Sequence, residues 1–193
     1  MFMQIGEKMK GSLKNKSIGI QLLTQGAIIA AVYVVLSLLT YQFSYLEIQC
    51  RVAEALCMTI YFTPAGVWGV ILGCFITNLF GGSWIDIVFG TLATVIAAFL
   101  TKPIVKAIKK KWGDELGFKQ SLLIPIPTVV VNAVVIPLVL YYGYGVVSMG
   151  SAVAKGAVLA LMAFSVAAGE IISCYLFGPL IVNIMKLVER GIR

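Results

Sequence analysis

The stretch Tyr45–Gly90, YLEIQCRVAEALCMTIYFTPAGVWGVILGCFITNLFGGSWIDIVFG, decides the fold. Two apolar runs flank a Thr63–Pro64 break, and Arg51, Glu54, Asn78 and Asp86 are set among them. An ionisable group at the centre of a membrane helix costs about 2.5–3.5 kcal/mol on insertion scales. It is kept there when it faces a cavity, a partner or a ligand. The stretch therefore reads as half of a polar site cut into a small membrane protein.

Composition agrees. Of 193 residues, 60% are hydrophobic and only 12% charged, where a soluble domain is roughly a quarter charged. The length leaves room for about five to seven membrane spans and no separate soluble domain. The net charge of +7 does not point to nucleic acid. Thirteen of the fifteen Lys and Arg fall in three clusters, Lys8–Lys16, Lys102–Lys119 and Lys186–Arg193. Clustering beside spans is what the positive-inside bias produces. The chain has no histidine, so the commonest metal ligand and general base is missing. No P-loop pattern is present to cradle ATP phosphates. No cofactor, metal or catalytic activity is expected.

Working outward, residues 1–17 form a polar, basic N-terminal segment, either a short interfacial helix or a tail, and 18–193 a single transmembrane domain. The first span is Ile18–Thr40, with a small-residue patch at Gly26, Ala27, Ala30 and Ala31. Ala27 and Ala31 share a helix face and allow close approach of another helix. Tyr41–Cys50 is an aromatic loop containing Tyr45, an interfacial anchor or a lid. Arg51–Phe62 is short for a crossing, so it is tilted, extended into that loop or buried in protein. Ala65–Phe80, with Gly66, Gly69 and Gly73, is the third span. Gly81–Gly82–Ser83 is a turn, with Ser83 capping the fourth span, Trp84 to about Val105. A basic loop from Lys106 follows. The fifth span is Ser121–Tyr142, kinked by its prolines, with Tyr141, Tyr142 and Tyr144 at an interface. A short outer segment near Ser151–Ala163 is expected before the sixth span, Phe164–Lys186, which is kinked at Gly178–Pro179.

The expected fold is thus an all-α membrane protein, a six-helix transmembrane bundle, multi-pass in the cell membrane with both termini cytoplasmic. That topology gathers Arg51, Glu54, Asn78, Asp86, Asn132 and Glu170 in the outer half of the membrane. One outward-facing pocket, capped by the aromatic loop, is the expected site. Three carboxylates against one Arg suit a ligand rich in N–H donors or carrying positive charge. Tyr45 or Trp84 could stack on a flat ring. A planar, guanine-like heterocycle fits these groups.

The strings Ile48–Leu56 (IQCRVAEAL), Tyr61–Ala65 (YFTPA), Gly73–Asn78 (GCFITN), Asp86–Thr94 (DIVFGTLAT) and Gly169–Ser173 (GEIIS) resemble the QueT family. These are queuosine-precursor substrate-binding (S) components of energy-coupling factor (ECF) transporters. The resemblance runs over most of residues 20–190 and implies a six-helix bundle of the S-component kind. It implies a 7-deazaguanine ligand such as 7-aminomethyl-7-deazaguanine, and as partners a transmembrane coupling subunit, packed on Ala27 and Ala31, and two ATPase subunits. On this reading Glu54, Asp86 and Glu170 contact the ligand, Asn78 and Asn132 read ring edges, and Arg51 orients a neighbouring glutamate. The alternative is a stand-alone, ion-coupled transporter of a small heterocycle or vitamin, with the same carboxylates carrying protons.

Overall fold

The computed structural model describes the backbone of residues 2–40, 51–144 and 152–192 and the side chains of 18–40, 51–144 and 155–191. The aromatic segment 41–50, with Tyr45 and Glu47, lies outside the described residues. Six helical rods make up what is described: α1 (Phe2–Leu39), α2 (Val52–Phe62), α3 (Ala65–Gly81), α4 (Asp86–Trp112), α5 (Phe118–Gly143) and α6, which begins at Ala152 and ends at Ile192. Spans in α1, α4, α5 and α6 are long and apolar enough to cross a membrane, while α2 and α3 are shorter.

The short α2 is the centre of the bundle rather than a crossing. It winds as a 3-10 helix over Val52–Met58 and closes with one α turn, Thr59–Phe62. Every residue from Ala53 to Tyr61 is buried, and α2 touches α1, α3, α4 and α6. Of the three options the sequence left open, burial in protein accounts for its length. Pro64 ends it by steric exclusion: the residue before a proline is pushed out of the α region, and Thr63 is extended at φ −144°, ψ 139°. Thr63 then starts α3. Its Oγ1 accepts from the Ala65 N–H at 3.2 Å and donates to Gln25 Oε1 on α1 at 2.6 Å.

The α1–α3 pair is the tightest in the bundle because α3 presents glycines to it. A Cβ on Gly69 would stand 2.7 Å from the Ile29 side chain, and one on Gly73 would stand 2.5 Å from Tyr33 Cβ. The small-residue patch of α1 is split by this contact. Gly26 and Ala30 are buried facing α3, whereas Ala27 and Ala31 are exposed on the outer side. The turn after α3 needs Gly82, which sits at φ +72°, a left-handed conformation that a side chain disfavours.

Helix α1 begins at Phe2 and its apolar span at Ile18. Two boundaries differ from expectation. Helix α4 continues to Trp112, so Lys106–Lys111 lie on its last turns rather than in a loop. Lysines suit a helix C-terminus, where they meet the negative end of the dipole. No separate segment precedes the last span: Ala152–Ile172 is one helix, continued by a π turn at Ser173–Phe177 and by Gly178–Ile192. The stretch 152–165 holds no proline to stop it. The irregularity expected at Gly178–Pro179 appears one turn earlier, because Pro179 offers no N–H to the carbonyls of the preceding turn.

The end of α4 with the segment after it and the end of α6, which carry two of the three basic clusters, meet at one end of the bundle. Phe62, Trp112, Asp114–Gly117, Lys186 and Arg190 line a single cavity there, and Lys186 Nζ donates to the Leu116 carbonyl at 2.8 Å.

Candidate substrate-binding site

The interior of an apolar bundle should hold no free carboxylate, yet Glu54 and Glu170 are 4% and 2% exposed. Each is met by a neutral donor from a distant helix. Tyr33 on α1 donates its hydroxyl to Glu54 Oε1 at 2.6 Å. Asn132 on α5 donates Nδ2 to Glu170 Oε1 at 2.8 Å. Both donors are as buried as their acceptors. The 3-10 turn of α2 that carries Glu54 packs on the π turn that follows Glu170. The packing of those two turns brings Glu54 and Glu170 into one interior region, with Arg51 at the start of the 3-10 turn.

Arg51 is half-buried at the mouth of α2, with its carbonyl accepting from the Glu54 N–H at 2.9 Å. Tyr144 belongs to a second group at the rim. Its hydroxyl donates to Asp86 Oδ2 at 2.6 Å and also contacts the Ser83 hydroxyl. Partial burial, then the bond to Asp86, raises the Tyr144 hydroxyl above the usual tyrosine range, which keeps it a donor.

The polar residues expected in one chamber therefore divide. Glu54, Glu170 and Asn132 form the buried cluster, Asp86 forms the rim group, and Arg51 stands at the N-terminal end of α2. Glu170 is the sixteenth residue of the 37-residue span Lys155–Gly191. Asn78 is in neither group. Its Nδ2 is held by the Asp86 carbonyl at 3.0 Å, Thr91 Oγ1 at 3.3 Å and Cys74 Sγ at 3.4 Å. That amide nitrogen joins α3 to the π turn opening α4 at Asp86–Gly90. Trp84 is 68% exposed, the setting of an interfacial anchor rather than of a wall around the buried cluster.

Several residues were not legible as site residues. Tyr33 sits in an apolar run and reads as core; only its position opposite Glu54 gives it a role. Tyr141 was expected at an interface, yet it is 3% exposed. Three buried side-chain oxygens find no hydrogen-bond partner among the described residues, Thr77 Oγ1, Tyr141 Oη and Glu170 Oε2. A buried polar atom without a partner costs about 1–3 kcal/mol, so such atoms mark places where a ligand can complete the bonding. Chemically, the cluster offers buried carboxylate oxygens among apolar side chains, suited to a compact ligand with N–H donors.

The fold and this interior define a multi-pass helical membrane protein with a buried polar cluster. The comparisons place it further. The sequence model described as QueT transporter matches residues 23–187, and the chain belongs to that family. It is also 38% identical over 95 residues to the queuosine precursor transporter QueT of Lactococcus lactis subsp. cremoris (strain MG1363). That alignment takes in 47% of this chain and 56% of the relative, so the match spans little more than half of that protein. No solved structure matches the chain.

Proposed function

We propose that this chain is the membrane-embedded substrate-binding subunit of an ATP-driven ECF importer, capturing a queuosine precursor of the 7-deazaguanine type from outside the cell. The observation that carries the reading is the Glu170 carboxylate, buried beside Glu54 with Oε2 unpartnered. A 7-aminomethyl-7-deazaguanine brings an amidine-like N–H edge and a separate ammonium. One carboxylate accepts two parallel bonds from the edge, and a second carboxylate neutralises the cation. Glu170 and Glu54 are the contacts of this reading, with Asn132 fixing Glu170 and Arg51 steadying Glu54. Asp86 with Tyr144 belongs to the entrance. The relative's printed name, a queuosine precursor transporter, supports the ligand class.

The chain has no P-loop, so ATP-driven uptake requires ATPase subunits and a transmembrane coupling subunit. The exposed Ala27 and Ala31 face of α1 suits that coupling subunit, since small side chains let helices approach closely. Both termini are cytoplasmic on this reading, with the basic end of the bundle inside.

The test is thermal stabilisation of the purified chain by 7-aminomethyl-7-deazaguanine, 7-deazaguanine, guanine and an unrelated vitamin. Preferential stabilisation by the aminomethyl compound, by mass action, supports the reading; equal or absent shifts across the panel defeat it. The buried carboxylates also suit proton carriage, which keeps one second reading, the ion-coupled carrier. Uptake into vesicles holding this chain and no ATPase would select it.

A further inference from the structure

We infer that the basic end of α4 and the α2–α3 junction form a binding site for an anionic phospholipid. Val67 and Trp68 of α3 and Val105 of α4 line a groove of about 400 Å³ whose α4 edge carries Lys102, Lys106 and Lys109. These lysines are spaced four and three residues apart, so they stand in one row on the helix. A row of like charges at that spacing is destabilising by itself. No acidic side chain lines the groove among the described residues. The acidic residues of this end, Asp114, Glu115 and Glu189, line the separate cavity beside it.

The apolar part of the groove is open to the bilayer. Trp68 is 64% exposed and Phe99, edge-on to it at 6.1 Å between ring centres, is 44% exposed. Measured along α4 from Asp86 at 1.5 Å per residue, Lys102 lies at about 24 Å and Lys106 at about 30 Å, and the hydrocarbon core is about 30 Å thick. With Asp86 at the opposite edge of that core, Lys106 and Lys109 reach the headgroups, and Lys102, about one turn short, extends its stem toward them. Lys102 Nζ lies 5.0 Å from the centre of the Phe99 ring, and Lys109 Nζ 4.7 Å from that of Tyr61. Those aromatic faces hold the ammonium groups at the margin of the groove. An acyl chain on Trp68 and Phe99 with a phosphate among the three lysines satisfies the apolar wall and the charge together. An acidic protein segment would satisfy only the charge.

Trp84→Phe and Trp112→Phe in the full chain leave Trp68 as the single tryptophan. Its fluorescence is then read in phosphatidylcholine vesicles containing either brominated phosphatidylglycerol or brominated phosphatidylcholine at equal bromine content. The site predicts stronger quenching by the phosphatidylglycerol, with a preference of about fivefold per lysine, the usual contribution of a juxtamembrane lysine at an anionic surface. Lys102→Gln, Lys106→Gln and Lys109→Gln together should abolish the preference, whereas Lys110→Gln with Lys119→Gln should not. Inorganic phosphate should leave the quenching unchanged. Equal quenching by the two lipids, displacement by inorganic phosphate, or a preference that survives the triple substitution overturns the site. Should the triple variant fail to fold, the two-lipid comparison on the parent and on Lys106→Gln alone decides.

Discussion

Asn132 holds Glu170 by a single oxygen: Nδ2 lies 2.8 Å from Oε1, while Oε2 is buried with no partner among the described residues. The two residues are 38 positions apart and come from helices α5 and α6. The bond fixes the carboxylate's orientation and leaves one acceptor for a ligand.

Glu170→Gln should therefore separate binding from stability. Hydrogen bonds to a charged group contribute about 1.5–3 kcal/mol, so affinity for the aminomethyl-deazapurine should fall about 10–100-fold by titration calorimetry. The ligand-free protein should melt no lower than the parent, because Gln keeps an oxygen for Asn132 Nδ2 and leaves no acid to bury. Unchanged affinity would remove Glu170 from the contact set.

Tyr33→Phe should act on stability first. It takes the donor from Glu54 and leaves a buried oxygen unsatisfied, at a cost of about 1–3 kcal/mol. Unfolding in detergent, followed by helical circular dichroism, reads this directly. A melting curve superimposable on the parent would show that Glu54 does not depend on Tyr33.

Gly73→Ala reaches the same tyrosine by packing. The new Cβ would meet Tyr33 Cβ at 2.5 Å and Cγ at 2.8 Å, so α1 must shift off α3. Overpacking of this kind costs about 1–3 kcal/mol, and ligand affinity should drop with it as Tyr33 leaves Glu54. A fully stable variant of undiminished affinity would contradict the α1–α3 contact.

Ala27→Leu and Ala31→Leu should leave ligand binding by the isolated chain intact, since both side chains point outward. Co-purification with a coupling subunit should be lost, as bulky side chains keep helices apart. Retention of the complex would move the docking face elsewhere.

Much of this was legible because membrane burial constrains residue types so strongly. The Thr63–Pro64 break, the glycine contacts of α3 and the unusual carboxylates all follow from local pattern and hydropathy. What the pattern could not carry was helix extent and pairing. A short outer segment is expected before Phe164, whereas Ala152–Ile172 is one helix. Asn78 resembled a ligand group until the backbone of the next helix turned out to bind its amide. Tyr33 gave no signal, since a tyrosine in an apolar run is indistinguishable from packing until its acceptor is located. Tyr45 lies outside the described residues.

The π turn at Ser173–Phe177 has a bearing on how this helix tolerates change. Such a turn amounts to one extra residue in an otherwise regular coil. Deleting a single residue within it would close the turn to regular α geometry and leave Glu170 and Lys186 near their present faces, whereas a deletion elsewhere in the rod would swing one side by about 100° relative to the other and carry the acid out of the interior. The extra residue thus gives this rod one position at which a loss of length is absorbed and the alignment of its halves survives.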